Sequence, residues 1–310
     1  MIYLWRKTLI KKMSNQLLDM NRALNSLQDK IDEIEKRSVF ISDSISDPLS
    51  NWNMKLLSIK TSICQPFWKQ QELALNIISK LIPTIKTSLT RLGSTSDGGY
   101  FIPSEILSSG NIAVNIGVGS EISLDLDLRQ RGFSLFAFDP YIEEYPLEGA
   151  NIKFLKKGLN TKNPEKNITL REILDSYIGD RSKNSFLFVD IEGSELETLA
   201  SCEEVDSIKD FAIVVVEFHN LLEAITSKDT RKYDALIKSL ENLDKYFDIC
   251  FVSGNNCSEY LAFDSRIFPD VAEVTFVNKQ FKFSETNSTT RYQSANDNSL
   301  PPLDLTNWKK

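Results

Sequence analysis

Two glycines and one acid have the spacing of a pocket for a nucleotide-like cofactor. Gly117 and Gly119 stand where the apolar run "AVNIGVG" ends and a helical pattern begins. Glycine lets the backbone pass close to a ligand, and the unpaired N–H groups at a helix start can bind it. Asp139 ends the next apolar run, 22 residues after Gly117. At that distance an acid can accept hydrogen bonds from ribose hydroxyls.

Several ligands compete for this turn. A phosphate-binding loop for a nucleoside triphosphate needs Gly-Lys-Ser/Thr, and none follows here. A dinucleotide fingerprint needs a third glycine where Ile122 stands, so a nicotinamide oxidoreductase is disfavoured. S-adenosylmethionine has no pyrophosphate and is compatible with the turn. A plain strand-to-helix turn in another doubly wound domain is the structural alternative.

Two later apolar runs also end in side chains that could do chemistry. Asp190 and Glu192 follow "FLFV", and Glu217 and His219 close "VVVEFH". His219 is the only histidine in the chain, and imidazole titrates near physiological pH, which suits it to accept a proton. A satisfied structural histidine is the alternative. Because the carboxyl ends of adjacent parallel strands border a ligand crevice, these four side chains are predicted to face one site.

A metal site is a further alternative for the same region. Asp190, Glu217 and Asn220 could offer oxygen ligands to a magnesium ion. Magnesium is possible but not favoured, so no metal ligand is predicted. Glu195 and Glu197 begin the next helical segment, where interaction with the helix dipole explains them at least as well as catalysis does.

Short apolar runs alternate with helical segments, which predicts an α/β fold with a parallel sheet covered by helices on both faces. The runs are "NIAVNIG", "SLFAFD", "NIKFL", "SFLFVDIEG", "FAIVVVEF", "FDICFVSG" and "VAEVTFV". The helical segments are 121–131, 168–178, 194–202 and 229–245.

The chain ends differ from this central pattern. Apolar residues recur with the spacing of a coiled-coil seam in the region 10–34. We predict a coiled-coil oligomerisation helix over 1–40 and a homo-oligomer, although an amphipathic helix packed on its own domain fits the same pattern. A linker and helical region over 41–90 follows. The polar segment 284–310 is predicted to be a surface-draped or mobile tail.

Composition limits the classes of partner. The net charge of −7 and the scattered lysines argue against nonspecific nucleic-acid binding. The four cysteines form no CxxC pair, which argues against a zinc site or a disulfide framework and predicts reduced thiols in the cytoplasm. The apolar start is too short for a membrane span.

Taken together, the motifs resemble the FkbM family of S-adenosylmethionine-dependent methyltransferases, over about 190 residues. The matching segments are 91–103, 115–123, 136–140, 190–199, 215–219, 254–261 and 269–279. The resemblance implies a class I methyltransferase domain over 91–283, Rossmann-like, with a seven-stranded sheet whose last strand is antiparallel. It also implies methyl transfer, usually to an oxygen of a sugar or other small metabolite.

Carried over by position, the resemblance assigns roles to individual residues. The expected cofactor-binding residues are Asn115, Gly117, Gly119, Glu121, Asp139 and Asp190. The expected catalytic residues are His219, Asp190 and Glu217. Methyl transfer to an alcohol needs a base, and His219 is the first candidate, with Asp190 as a rival base or as the partner that orients His219.

The acceptor side is less defined. Asn255, Asn256 and Glu192 are expected to contact the acceptor, and Ser253 stands where relatives often have histidine. In the segment "RLGSTSDGGYFIP", the residues Arg91, Asp97 and Tyr100 either cap the cofactor crevice or belong to a turn that enters a strand. The sequence thus predicts an O-methyltransferase of a sugar, glycan intermediate or other small hydroxylated metabolite. A catalytically inactive methyltransferase-fold scaffold, assembled through the coiled coil, is the alternative.

Overall fold

A computed structural model of the chain supplies the structure, and it describes only part of the sequence. The described residues are 68–107, 112–159, 163, 165–263, 266–283, 296, 302–303, 305 and 308. The predicted coiled coil, the first part of the predicted linker region and most of the C-terminal tail lie outside them.

Thirteen strands occur in the described part of the chain. They are β1 (Leu89–Gly93), β2 (Gly99–Pro103), β3 (Ile112–Ile116), β4 (Ser134–Phe138), β5 (Ile152–Leu155), β6 (Gly158–Leu159), β7 (Asn167–Ile168), β8 (Ser185–Val189), β9 (Ile213–Phe218), β10 (Phe247–Gly254), β11 (Tyr260–Phe263), β12 (Arg266–Pro269) and β13 (Ala272–Asn278). Seven of them form one sheet, and β1–β2, β6–β7 and β11–β12 form three separate pairs.

One helix precedes β1, and the others lie between the strands. They are α1 (68–81), α2 (Ser104–Leu107), α3 (Ser123–Gln130), α4 (Leu170–Ile173), α5 (Glu195–Leu199), α6 (Cys202–Ile208), α7 (Leu221–Thr226) and α8 (Arg231–Asp244). A π-helical turn (Leu174–Ile178) and a 3₁₀ segment (Gly179–Asn184) follow α4.

The large sheet has the strand order β10-β13-β9-β8-β3-β4-β5. Strands β5, β4, β3, β8 and β9 pair in parallel, whereas β13 pairs antiparallel with both β9 and β10. The predicted seven-stranded sheet with an antiparallel last strand is therefore confirmed. Each of the seven predicted apolar runs covers one of its strands, except that β13 extends one residue further, to Asn278.

Both faces of this sheet are buried, which explains why its central strands are continuously apolar. In β8, Leu187 and Val189 pack into one hydrophobic cluster, while Phe186 and Phe188 pack into the other. Alternate residues of a strand point to opposite faces. The absence of a polar face in "SFLFV" thus reflects a strand covered by side chains on both sides.

Helix α1 lies before residue 91, where the family resemblance begins, and packs on the same core. Ala74, Ile77, Ile78 and Leu81 are each at most 2% exposed and belong to one of the two core clusters. Their spacing places them on one helix face. Pro83 stands two residues after the last residue of the helix, as expected for a residue that cannot continue it.

The predicted helix over 168–178 is regular only in part. Thr169 caps α4 through a reciprocal capping box with Glu172. The helix then widens into the π turn, and Gly179, with a φ of +58°, ends it. Local caps are visible in the sequence, but widening of a helix depends on tertiary packing, so periodicity did not indicate it.

Two described tail residues correct the prediction of a purely surface-draped or mobile tail. Asn296 and Trp308 are 6% and 5% exposed, and the Trp308 Nε1 donates a hydrogen bond of 2.8 Å to the carbonyl of Ile267. At these positions the tail is part of the folded domain. Among the described helices, none is long and apolar enough to cross a membrane.

Candidate functional site

Strand register brings the predicted site residues to one edge of the sheet. Ile116 of β3 pairs with Phe138 of β4 on one side and with Val189 of β8 on the other. Val189 in turn pairs with Val216 of β9. The residues that follow in these strands, Gly117, Asp139, Asp190 and Glu217, therefore form a row at the carboxyl edge, which is where doubly wound sheets bind ligands.

A cleft of about 740 Å³ opens along this row. Its polar lining includes five carboxylates, namely Asp97, Glu121, Asp139, Asp190 and Glu192. No lysine, arginine or histidine is among the described residues that line it. Tyr100 and Tyr141 add two aromatic rings, and Tyr141 is 88% exposed.

The first glycine of the turn is required by geometry. Gly117 has a φ of +86°, and a Cβ at this position would lie 1.6 Å from the carbonyl oxygen of Asp190. Its N–H donates a hydrogen bond of 2.8 Å to the carbonyl of Phe138. Gly119 also has a positive φ, +59°, but a Cβ there would meet no atom within 4 Å. The two glycines thus have different roles. Gly117 allows the turn to pack against the backbone of Asp190, whereas the position beside Gly119 is open.

Asp139 holds the same turn through its carboxylate. Its Oδ2 accepts a hydrogen bond of 3.0 Å from the Gly119 N–H, and its Oδ1 accepts hydrogen bonds from the N–H groups of Tyr141 and Ile142. The side chain is buried yet lines the cleft. Asp139 therefore lies where a ribose acid is expected and also braces the loops on either side.

Asn115 and Glu121 line the cleft as well, but each has a protein partner. The Asn115 Nδ2 donates to Asp125 Oδ1 at 3.0 Å, and the Tyr145 hydroxyl donates to Asp125 Oδ2 at 2.6 Å. Burial raises the pKa of Asp125, and these two hydrogen bonds oppose the rise. Glu121 Oε1 accepts from the Ser123 N–H at 2.7 Å at the start of α3.

Asp125 and Tyr145 were not predicted from the sequence. A charged residue on the buried face of α3 was the available signal for Asp125, which is fully buried.

His219 is surrounded by four carboxylates, and we call these five residues the His219 cluster. Its Nε2 lies 3.7 Å from Asp190 Oδ1, 3.7 Å from Glu192 Oε2 and 3.8 Å from Glu217 Oε1. Its Nδ1 lies 3.4 Å from Glu195 Oε1. The residues predicted at the ends of β8 and β9 thus lie together.

The cluster shifts the pKa of its members. Burial alone would lower the pKa of His219, but the adjacent carboxylate of Glu195, 3.4 Å from Nδ1, together with the charges of Glu217 and Asp190, raises it to about 9. Burial raises the pKa of Asp190 to about 6, with the charge of His219 opposing the rise. Burial, followed by the charge of Asp190, raises the pKa of Glu217 well above its usual range. At neutral pH, His219 is protonated and Asp190 is mostly ionised.

Glu195 is completely buried, in contrast to Glu197, which is exposed on the same helix. Interaction with the helix dipole is therefore an incomplete explanation for Glu195. Its carboxylate accepts hydrogen bonds from the N–H groups of Gly193 and His219, at 2.8 and 2.7 Å. The sequence offered no signal that separates the two glutamates beyond their helical phase.

Glu192 has an unusual backbone conformation. Its φ of +54° lies in the left-handed region, which is uncommon for a residue with a side chain. The residue lines the cleft, and its side chain is 89% exposed. Asn220, at the start of α7, has a φ of +61°, and its amide packs against Gly193. Such backbone conformations concentrate at functional sites.

The two amides expected at the acceptor side have partners within the protein. Asn255 Nδ2 donates to Glu217 Oε1 at 3.2 Å, and Asn256 Oδ1 accepts from the Asn296 N–H at 2.8 Å. Neither residue lines the cleft. Ser253 is buried and pairs with Glu273 of β13, which itself pairs with Glu217. Asn255 and Asn256 therefore support the wall of the site in this structure.

The β1–β2 hairpin covers one side of the cleft. Asp97 and Tyr100 line it. Arg91 does not line it. Its guanidinium instead donates to the carbonyls of Ser94 and Ser96 and lies 5.2 Å from the ring centroid of Phe101. Arg91 thus fixes the hairpin turn that positions Asp97.

Asp190, Glu192 and His219 also place one potential ligand atom each within 4.8 Å of one another. Groups of this kind are common without a bound ion. Asn220, one of the three oxygen ligands considered for magnesium, has its amide against Gly193. We assign no metal to this position.

Structural similarity to solved proteins is low. A candidate hemolysin from Streptococcus thermophilus is 10% identical, with a TM-score of 0.32, and the match covers 57% of this chain and 66% of that one, just under two thirds. A variant of the 16S rRNA (adenine(1408)-N(1))-methyltransferase from Catenulisporales acidiphilia is 10% identical, with a TM-score of 0.30 and coverages of 61% and 98%. A candidate tRNA methyltransferase from Streptococcus pneumoniae is 14% identical, with a TM-score of 0.28 and coverages of 58% and 71%.

A family model gives the assignment. The chain matches no curated protein, but residues 104–247 match the methyltransferase FkbM domain. This segment contains the glycine turn, Asp139, Asp190, Glu217 and His219, together with the five parallel strands of the large sheet, β3, β4, β5, β8 and β9. The chain therefore contains a methyltransferase FkbM domain, which the family match places over residues 104–247.

Proposed function

We propose that this enzyme transfers a methyl group from S-adenosylmethionine to a hydroxyl group of a sugar, a glycan intermediate or another small hydroxylated compound. One observation supports this most directly. Asp190 lines the cleft immediately beside the glycine turn, and its Oδ1 lies 3.7 Å from the Nε2 of the only histidine in the chain. A proton-accepting group thus adjoins the cofactor turn.

The residues at the turn fit the cofactor chemically. S-adenosylmethionine carries a sulfonium and an ammonium group, and its ribose hydroxyls can donate hydrogen bonds. Asp139 and Glu121 provide carboxylate oxygens on the cleft wall, and each oxygen can accept more than one hydrogen bond. The space beside Gly119 leaves room for a ligand to approach the backbone.

The lining of the cleft supports an uncharged acceptor. Carboxylates accept hydrogen bonds from hydroxyl groups, whereas they repel phosphates and other anions. The described lining has five carboxylates and no basic side chain, and the whole chain has a net charge of −7. These features favour a neutral polyol over a nucleic acid.

Proton removal is assigned to Asp190, with His219 as its partner. The cofactor supplies an electrophilic methyl group on its sulfonium. Asp190 faces the cleft and, with a pKa of about 6, is ionised at neutral pH. His219, with a pKa of about 9, is already protonated and does not line the cleft. We therefore favour Asp190 as the base and place the His219 imidazolium where it stabilises the ionised carboxylate.

Two further expectations remain proposals. Self-association through residues 10–34 follows from the heptad spacing alone. The cytoplasmic location follows from cysteine usage alone.

Calorimetric titration with S-adenosylhomocysteine tests the cofactor site. We expect Asp139→Ala to weaken binding at least tenfold, about 1.4 kcal/mol. In Asp139→Asn, the amide oxygen can still accept hydrogen bonds from the Tyr141 and Ile142 N–H groups, whereas the NH2 group cannot accept one from the Gly119 N–H. Asp210→Ala is the matched control, since Asp210 is exposed before β9, at the edge of the sheet opposite the cleft. Absence of binding by folded wild-type protein would refute the proposal.

An acceptor screen tests the reaction. Neutral mono- and disaccharides, their phosphorylated counterparts and short RNA are incubated with labelled S-adenosylmethionine, and product masses identify the methylated atom. We expect a methyl ether of a neutral compound. For that acceptor, Asp190→Asn is expected to lower kcat by roughly a hundredfold or more, as loss of a general base does. Methylation confined to RNA or to a nitrogen atom would contradict the acceptor class.

A further inference from the structure

The carboxylate of Glu195 is fully buried in the folded protein. Its side chain is 0% exposed, and burying an ionised carboxylate is unfavourable unless it is hydrogen-bonded or paired. Two backbone N–H groups compensate for this. Gly193 donates to Oε2 at 2.8 Å, and His219 donates to Oε1 at 2.7 Å. Gly193 directly follows Glu192, which lines the cleft, and His219 is the centre of the His219 cluster.

The same carboxylate lies beside the inner nitrogen of the imidazole ring. Glu195 Oε1 is 3.4 Å from His219 Nδ1, and this nitrogen is buried and makes no hydrogen bond of regular geometry with the described residues. The outer nitrogen, Nε2, is 3.7 Å from Asp190 and 3.8 Å from Glu217. The ring therefore has one acid on its inner edge and the cleft-side acids on its outer edge.

We propose that Glu195 is a positioning residue, which holds the Nδ1 edge of His219 so that Nε2 faces Asp190 and is the nitrogen that loses its proton when the ring titrates. Because Glu195 is the acid nearest to Nδ1, at 3.4 Å, its carboxylate favours the neutral ring form that carries its proton on that nitrogen. The role assigned to Glu195 rests on the proposed function only in taking His219 as the partner of Asp190.

A purely structural role for Glu195 makes a different prediction. If it only braced the backbones of Gly193 and His219, its charge would stabilise the fold without fixing the ring. The protonation of His219 separates the two roles. Charged groups that face His219 are Asp190, Glu192, Glu195 and Glu217, and the more distant Asp270 also interacts with it.

The chain offers a direct measurement because it contains a single histidine. Protein labelled with 15N-histidine, in a long-range 1H–15N correlation spectrum, reports only His219. We expect the neutral ring of the wild type, above its pKa, to carry its proton on Nδ1. In Glu195→Gln, we expect the pKa of His219 to fall by roughly one to three units, because a neighbouring negative charge is lost, and we expect the preference for the Nδ1–H tautomer to weaken.

Glu197→Gln is the matched control, since it makes the same substitution on the exposed side of the same helix. It should leave the tautomer and the pKa of His219 unchanged. Circular dichroism and S-adenosylhomocysteine affinity in the same samples report folding. If Glu195→Gln does not fold, the tautomer of His219 in the wild-type protein is by itself the test of the proposal.

A wild-type ring protonated on Nε2 would overturn the proposal. So would a folded Glu195→Gln variant whose His219 titrates and tautomerises as in the wild type. Failure of the proposed function has a different signature, because loss of cofactor binding or methyl transfer does not alter the ring spectrum of the free protein.

Discussion

Asp190 and His219 have pKa values of about 6 and about 9, and this difference predicts a bell-shaped dependence of activity on pH. The Asp190 carboxyl must be ionised to accept a proton, so kcat/KM should rise with an apparent pKa of about 6. The His219 imidazolium must keep its charge, so kcat/KM should fall with an apparent pKa of about 9. Because the groups interact, both values belong to the pair. Steady-state rates from pH 5 to 10 provide the measurement.

The opposite assignment has a distinct profile. If neutral His219 were the base, kcat/KM would increase as pH rises through about 9 and would not decline there. His219→Gln is the control, since it should remove the descending limb while leaving an ascending limb that reports Asp190.

The two glycines of the turn should respond unequally to substitution. Gly119→Ala places a side chain at a positive φ but in open space, which is expected to lower the free energy of unfolding by about 1–2 kcal/mol. Gly117→Ala adds a severe contact with the carbonyl of Asp190, so we expect a loss of roughly 3 kcal/mol or more. Urea denaturation of both variants gives the comparison. Equal losses would show that the backbone of Asp190 moves aside freely.

Single residues were predictable where position on the sheet decides their location. Asp139, Asp190 and Glu217 follow apolar strands, and parallel strands bring such residues to one edge. The pairing of Glu195 with His219 was not predictable, because it depends on how α5 packs on β9. The hydrogen bond from the Asn296 N–H to Asn256 Oδ1 was not predictable either, because the two residues are forty positions apart and meet only through tertiary packing.

At the scale of elements, periodicity predicted the strands well because both faces of the sheet are buried. It predicted α8 almost to its ends, since 229–245 contains Arg231–Asp244. It failed where tertiary contacts override local pattern, as in the π turn after α4. It also failed in the tail, whose polar composition gave no sign that Asn296 and Trp308 are buried.

Asn296 connects the C-terminal tail to the β1–β2 hairpin and to β13, so substituting it tests whether the tail stabilises the domain. Its Nδ2 donates to Asp97 Oδ1 at 3.1 Å and to Glu273 Oε1 at 2.8 Å. Asn296→Ala removes both hydrogen bonds to carboxylates, and we expect a loss of about 1–3 kcal/mol in the free energy of unfolding. Asn296→Asp should destabilise more, because it adds a negative charge beside two others.

The control for these variants is Asn184→Ala, at an exposed position that ends the 3₁₀ segment. Equilibrium denaturation provides the stabilities, and S-adenosylhomocysteine affinity shows whether the hairpin wall moves. An Asn296→Asp variant as stable as the wild type would mean that the carboxylates of Asp97 and Glu273 move away from residue 296.

For the whole molecule, the family resemblance predicted the domain class, whereas the ends of the chain had to be interpreted from pattern alone. Within the domain, acids are concentrated at the carboxyl edge of the sheet, and the cluster around His219 joins β8, β9 and α5. Titration of one buried group in such a cluster is coupled to global unfolding.

Stability of the whole fold should therefore decrease with pH above neutrality. The pKa of His219 is raised from 6.5 to about 9, so its stabilising contribution is complete below about pH 6.5 and is lost as pH rises through about 9. The limit on this loss is about 3 kcal/mol. Asp190, with a pKa of about 6, adds little slope in this window. The raised pKa of Glu217 acts in the same direction as that of His219.

Urea denaturation between pH 6.5 and 9.5 measures this decline, and His219→Gln should flatten it, because the replacement cannot titrate. The variant should also be less stable than the wild type at pH 6.5, where the imidazolium offsets the buried carboxylates, and the two should converge towards pH 9.5. A wild-type free energy of unfolding that does not fall across this range would mean that the folded protein does not hold His219 protonated, and the assignment of Asp190 as the base would lose its main support.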